Sequence, residues 1–504
     1  MASLGVSRVY SSSRCNAPDS RSDAHYWGLM CLFCGEMGFC CWQIGTCVYN
    51  GGLILFHRIK PSGEITVSSE LYLKKLVSFN TTSSDNAERD RSNGELIKYM
   101  ADHFAKCGFV THYYEIAPNK FNLLALSPSL ADGSDSLGLL LSGHSDCVPF
   151  DASKWTHNPL ELTNVDNLLY GRGACDMKAF LACMMTLAAN QDSLKSKVSF
   201  LVTCDEESSM NGAIDVPRLF AQPLNGENFN NLCSLGPKSY DENFLVNKHF
   251  DLIIIGEPTL MQPVVAHKGY IARELTFHGI SAHSSNPQLG VNSIHSANLA
   301  ITKLLALSHE LQYNYVNPDF AVNYPTVNLG YINGGHSLNS ICDEVKLGFD
   351  IRPTPSISHE LLVDKINKLY LDLNDLLNQI HASELSQASF KDKLNKKAQV
   401  YQGDNPKHPL CSMSIPFADI PAFCNKDLEP IKTLLTPYLP QDIAYDYVNY
   451  CTEASFLQKL GPTVVLGPGS IDQAHGIDEY VALSELTKCD DFLCQLITSF
   501  KPRT

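Results

Sequence analysis

Charge is scarce in this 504-residue chain, and basic charge scarcer still. Asp, Glu, Lys and Arg make up 18% of residues, and 38 Lys and Arg against 53 Asp and Glu leave a net charge of −15. A field of that sign repels polyanions, which excludes a nucleic-acid surface and favours a cationic or zwitterionic small substrate. Internal repeats and low-complexity tracts are missing, which excludes a solenoid, a fibre and a largely disordered chain. An unbroken apolar span is missing too. The most apolar stretch, from Tyr26 to Phe56, is interrupted by Glu36, Gln43 and Asn50, and a carboxylate in mid-membrane costs about 3 kcal/mol on insertion. A membrane anchor is therefore not expected. Residues 1–21 are Ser-rich with Arg8, Arg14 and Arg21, a faint likeness to an organelle transit peptide that Asp19 and Asp23 spoil.

Cysteine is not scarce, but paired spacing is. Of 18 cysteines, Cys15, Cys31, Cys34, Cys40, Cys41 and Cys47 crowd the first fifty residues, and the other 12 are scattered singly from Cys107 to Cys494. Cys31 and Cys34 form a CxxC without the second well-spaced pair that a zinc knuckle requires. Scattered thiols inside apolar runs, such as Cys183 and Cys204, suit a reducing compartment, and a cytoplasmic location is expected.

What is present is ample apolar residue, 44% of the chain, and a regular texture that begins near Glu70. ELYLKKLVSF and AFLACMMTLAAN carry helical periodicity. LGLLLSGHSD, VSFLVTCDEE, DLIIIGEP and TVVLGPGS are short aliphatic runs of the kind that make strands buried on both faces. Their alternation predicts a mostly parallel sheet with helices on both sides. The Asn/Gly/Ser-rich stretch from about Pro223 to Phe250 has no usable period and reads as a surface insertion without chemistry. After His267, ARELTFHGI, YPTVNLGYINGG and EVKLGFDIRP read as strands, and SIHSANLAITKLLAL and HELLVDKINKLYLDLNDLL as helices, an order that suits a small ferredoxin-like α+β layer.

Four of the aliphatic runs end in residue types that bind metals. Leu139–Ser142 leads into His144 and Asp146, Val198–Cys204 into Asp205, Glu206 and Glu207, Leu252–Ile255 into Glu257, and Thr463–Leu466 into a Gly-Pro-Gly loop and then His475. In open α/β sheets the functional crevice lies beyond the carboxyl ends of the strands, so these segments can converge, and Asp176 in GRGACDMKAF can join them from the start of a helix. Singly, each residue is more often an ordinary surface or core group. Together, two imidazoles and several carboxylates suit zinc or cobalt with open coordination positions. Neighbouring side chains point apart, so one of Glu206 and Glu207 can bind metal while the other faces a water. Asp146, two residues from His144, can orient its imidazole.

The chain resembles the two-zinc aminoacylase and desuccinylase metallohydrolase family. The resemblance is carried, in order, by GHSDCVPFDASKW, LYGRGACDMKAF, TCDEESSMNGA, IIGEPTLMQPVVAHKGY, GISAHSSNPQLGVNSI, YPTVNLGYINGG, DIRPTP, VNYCTEASF and GPGSIDQAHGIDEY, from about Glu70 to the C-terminus. EPTLMQPVVAHKG and VNYCTEA are similar to the branch acting on N-acetylornithine. The resemblance implies two divalent ions, zinc or cobalt, bridged by Asp176, with His144 and Glu257 on one and Glu207 and His475 on the other. It implies Glu206 as general base, and His283 as a donor to the oxyanion, reaching across a dimer. Asn339 and Arg352 match positions that hold the substrate carboxylate. Glu453 stands where sister branches carry aspartate or small residues, and is expected either to face the substrate ammonium or to support a metal ligand.

The expectation is thus an α/β fold: a mostly parallel-sheet zinc-hydrolase catalytic domain in two parts, residues 68–266 and 381–504, with an inserted ferredoxin-like lid and dimerisation domain at 267–380. Residues 1–63 form an appendage outside it, with organelle import or a single membrane anchor as its alternative roles. The expected reaction is hydrolysis of the small molecule N-acetylornithine by a homodimer. Other N-acyl amino acids remain as alternative substrates, and a non-catalytic binding relative remains as an alternative class that the complete ligand set disfavours.

Overall fold

A computed structural model describes residues 68–237, 240–387 and 410–500, together with four short strands nearer the N-terminus. The chain divides into two compact units, Met1–Ser68 and Ser69–Thr504. In the first, strands Trp27–Met30, Gln43–Tyr49, Leu53–Ile59 and Ile65–Thr66 pair antiparallel in chain order. The expected appendage thus contains a small sheet. Its six cysteines lie outside the described side chains. No helix among the described residues is long and apolar enough to cross a membrane.

The second unit is built on a ten-stranded mixed sheet. Its centre is four parallel strands in the spatial order Val198–Thr203, Leu139–His144, Leu252–Ile255 and Thr463–Val465. These are the four aliphatic runs, and their continuity has a simple cause. Leu139, Leu141, Phe200, Val202, Leu252, Ile254 and Val464 face one core, while Leu140, Leu201, Ile253, Ile255 and Val465 face another. Side chains on both faces are therefore mostly apolar, and each aliphatic one fully buried contributes about 1.5–3 kcal/mol. Helices Ser69–Val77, Gly94–Lys106, Lys178–Ala188 and Leu483–Ser499 cover the first face. Asn211–Leu219 lies on the second.

The stretch from Pro223 to Phe250 departs from the expected surface insertion. Asn230–Leu235 pairs antiparallel with Val110–Ala117 at the sheet's edge, and Leu224, Phe229, Leu245 and Phe250 enter the second core. Four widely spaced apolar anchors suffice to seat it, and so sparse a pattern has no periodicity to detect.

The small sheet is separate and antiparallel throughout, with Ile271–His278 at its centre beside Glu344–Arg352. In chain order its elements run strand, helix Ser293–Asn314, strand Thr326–Gly334, strand Glu344–Arg352, helix His359–Gln387, strand. The last strand is Cys411–Ser414, paired with Ile271–His278. This is the split βαββαβ order expected of a ferredoxin-like layer. Its fourth strand falls beyond residue 380, where the inserted layer was expected to end, because the chain must return along the free edge of the Ile271–His278 strand to complete the sheet. Ile271, Leu275 and Phe277 meet both helices on one face.

Candidate metal centre

Register brings the strand ends level. Thr203 pairs with His144, Ile255 with Ser142, and Val465 with Ile255, so the residues just beyond them open onto one crevice. Glycine makes room for it. A Cβ on Gly256, immediately before Glu257, would lie 1.9 Å from the Phe180 ring, and one on Gly143, before His144, 2.5 Å from the Met177 methyl group. The helix that follows Asp176 can press against the strand ends only because both positions lack side chains.

Two triads result, and they share one carboxylate. His144, Asp176 and Glu257 each offer a ligand atom within 4.8 Å of the others, and so do Asp176, Glu207 and His475. His144 Nε2 lies 3.1 Å from Asp176 Oδ1 and 4.0 Å from Glu257 Oε1. His475 Nε2 lies 3.4 Å from Asp176 Oδ2 and 2.9 Å from Glu207 Oε2. All five residues assigned from the sequence as ligands are brought together.

The charge balance asks for cations. Burial raises the Glu206 and Glu257 carboxyls well above their usual range and raises Glu207 as well, and the neighbouring carboxylates add to it. Burial disfavours charge on His144, yet its bond to Asp176 and the fields of Glu257, Glu206 and Asp146 hold it well above an ordinary histidine. Bonds to Asp176 and Glu207 lift His475 to about 10. Buried negative charge of this density is what bound cations would offset. Within the two triads, Glu257 Oε1 is buried without a hydrogen-bond partner. An unpaired carboxylate oxygen beside a buried imidazole, within an N/O donor set of two histidines and three carboxylates, fits divalent zinc or cobalt.

Asp146 makes a different contact from the one expected. His144 Nδ1 lies 3.0 Å from the Asp146 backbone carbonyl and 3.6 Å from its carboxylate. That carboxylate instead accepts the backbone N–H groups of Glu206 at 3.2 Å and Glu207 at 3.0 Å. The residue therefore serves the imidazole through its main chain and the Glu-Glu pair through its side chain. Glu453 is fully buried, accepts a hydrogen bond from the Thr203 hydroxyl, and is raised by burial to about 7. Arg352 lies where the small sheet meets the VNYCTE segment, 3.8 Å from Cys451 Sγ, 4.1 Å from the Tyr270 ring centre and 3.4 Å from Asp350.

His283 and Asn339 are neighbours elsewhere, exposed on the small layer. Ser284 N–H donates to the Asn339 carbonyl at 3.0 Å, and His283 Nδ1 meets Ser285 Oγ at 2.7 Å. Among the described residues no hydrogen bond or ion pair joins either to the two triads. One buried carboxylate at the centre had no assigned role: Glu479 accepts the backbone N–H of Asp176 at 2.9 Å. Its only sequence signal is an acidic residue four positions after His475 in AHGIDEY. The 12 cysteines from Cys107 onward are all free thiols.

Residues 140–499 match the model of peptidase family M20/M25/M40. A protein of Vibrio cholerae named acetylornithine deacetylase is 37% identical over 418 residues, covering 81% of this chain and 92% of its own. One of the same name from Yersinia pestis is 35% identical over 435 residues, covering 86% and 97%. Among solved structures, a tripeptidase of Staphylococcus aureus superposes with a TM-score of 0.54 at 17% identity, over 85% of this chain and 96% of that one. An M20 family metallo-carboxypeptidase of Sulfolobus solfataricus reaches 0.56 at 15% identity, over 86% and 99%. The fold with its lid, the paired triads and the span of these matches lead to one conclusion: the chain belongs to the M20/M25/M40 peptidase family and is a metallohydrolase.

Proposed function

We propose that the protein hydrolyses N2-acetyl-L-ornithine to L-ornithine and acetate, a step of arginine biosynthesis. The observation that carries the chemistry is the pair of triads meeting at Asp176. The substrate is supported by relatives named acetylornithine deacetylase at 35–37% identity over more than four fifths of the chain and by a net charge of −15, which suits a substrate with a free ammonium group.

His144, Asp176 and Glu257 would hold one divalent ion, and Asp176, Glu207 and His475 the other. When bound, the pair supplies Lewis acidity to the scissile amide. Glu206 acts as general base, taking the proton of the attacking water and delivering it to the departing amine, a role suited to a carboxylate whose pKa burial has raised. Asp146 keeps Glu206 and Glu207 diverging by holding both of their amides. Arg352 binds the substrate carboxylate in the two-pronged manner open to a guanidinium, assisted by Asn339, which neighbours His283 and travels with it on the lid. The burial of Glu453 and its bond to Thr203 support the second of its two expected roles, bracing the strand that leads to Glu206 and Glu207. The chain works as a homodimer in which the lid of one copy presents His283 to the oxyanion in the other.

Turnover of acetylornithine, acetylmethionine and succinyl-diaminopimelate by the cobalt- or zinc-loaded protein tests this reading. The expected result is a kcat/KM for acetylornithine at least about tenfold above the others. A preference for acetylmethionine would move the assignment to an aminoacylase.

A further inference from the structure

Glu479 is 1% exposed and takes no part in the proposed hydrolysis. Its carboxylate is fully engaged by a single turn of chain. Oε1 accepts from the N–H groups of Cys175 at 2.8 Å and Asp176 at 2.9 Å; Oε2 accepts from the N–H of Gly173 at 2.8 Å and from Arg172 Nη1 at 3.0 Å. Gly173, at φ +73°, lets the turn curl around the carboxylate, and the N–H of Lys178 closes onto the Gly173 carbonyl at 2.9 Å to start the next helix. This is a small anion-binding concavity whose anion comes from the protein itself.

Arg172 carries the connection further. Its Nη2 donates to the carbonyl of Gly476 at 3.1 Å, the residue after His475, and its guanidinium lies 4.9 Å from the Trp155 ring centre. The N–H of Gly171 donates to the Glu479 carbonyl at 3.0 Å. The turn that bears Asp176 and the turn that bears His475 are therefore laced together by one buried carboxylate and one buried guanidinium. His475 needs such restraint, because it sits on a loop at φ +62° and no sheet ladder holds it.

We propose that Glu479 and Arg172 are positioning residues that fix the distance between Asp176 and His475, and so set the affinity of the Asp176–Glu207–His475 position for its cation. The inference rests on the two-metal reading above. Partners that orient metal ligands typically account for 10–100-fold in metal affinity. Lysine in place of Arg172 keeps the charge but loses the fork that reaches both Glu479 and Gly476.

Metal-stripped full-length protein, Glu479→Gln and Arg172→Lys are titrated with Zn2+ by calorimetry, with the unfolding midpoint of each metal-free protein measured alongside. The parent is expected to bind two ions. In both variants the step that depends on His475 weakens by about 10–100-fold, and by more than the step at the other position, which shares only Asp176 with it. Unchanged constants for both steps would overturn the proposal even if the midpoint falls, since a purely structural ion pair shifts stability and leaves metal affinity alone. Should Glu479→Gln fail to fold, Arg172→Lys decides by the same criterion. A parent that takes up no zinc overturns the two-metal reading, and this inference with it.

Discussion

His144 and His475 complete the two triads from opposite kinds of structure. His144 ends a central strand, is 1% exposed, and lies among buried carboxylates. His475 stands on an irregular loop at positive φ with its side chain 55% exposed. The sheet ladder holds the first in place, whereas only tertiary ties hold the second. One candidate cation position is thus part of the folded core, and the other is assembled on top of it by the Gly-Pro-Gly loop and the AHGIDEY segment.

The largest expected effect concerns the group that belongs to neither triad. Glu206→Gln keeps the shape and removes the base, so kcat should fall by about 10²–10⁴ while both metal ions remain bound, as judged by activity assay and metal analysis. Activity close to the parent's would move the base elsewhere.

The contrast between the histidines sharpens in stability. In metal-free protein, His144→Ala strands buried carboxylates and should cost about 3–5 kcal/mol in urea denaturation, as breaking a buried pair does. His475→Ala should cost less, because its imidazole is 55% exposed and solvent screens part of its pull on the buried Asp176 and Glu207 carboxylates. Equal losses would erase the distinction between a core position and an assembled one.

A third comparison sets the lid against the cluster. If His283 serves the partner's site, co-expressed His283→Ala and Glu206→Ala chains form mixed dimers with one complete site, and about a quarter of the parent activity should return from two inactive variants. No recovery would place His283 in its own chain's site or outside the reaction.

The smallest effect is one of pH. Burial lowers His267 and His112 from 6.5 to about 4. The unfolded chain therefore binds more protons between those limits, and stability is full above about 6.5 and lost as pH falls toward 4, at most about 1.4 kcal/mol per pH unit for each residue. His267 accepts the Thr452 N–H at 3.3 Å through Nε2, a bond that glutamine can replace. In His267→Gln the fall in unfolding midpoint from pH 7 to pH 4.5 should be shallower than in the parent.

The same contrast explains what could be read from the sequence. His144 ends, and Glu206, Glu207 and Glu257 follow, strands buried on both faces, which appear as mainly aliphatic runs whose ends can be counted. Their convergence follows from parallel register alone. The contacts made by Asp146 and Glu479 leave no mark in the sequence because, the Arg172 guanidinium aside, their partners here are backbone N–H groups, which nearly every residue carries. The edge strand Asn230–Leu235 and the fourth lid strand Cys411–Ser414 carry little sequence signal for a related reason. Both are short, lie at sheet edges, and are held by pairing more than by apolar periodicity.

The central claim is that one carboxylate serves two cations. Metal content per chain of Asp176→Ala, measured beside His475→Ala after loading with zinc, tests it most directly. The account predicts two ions in the parent, one in His475→Ala and none held tightly in Asp176→Ala. An Asp176→Ala chain that still retains two ions would contradict it.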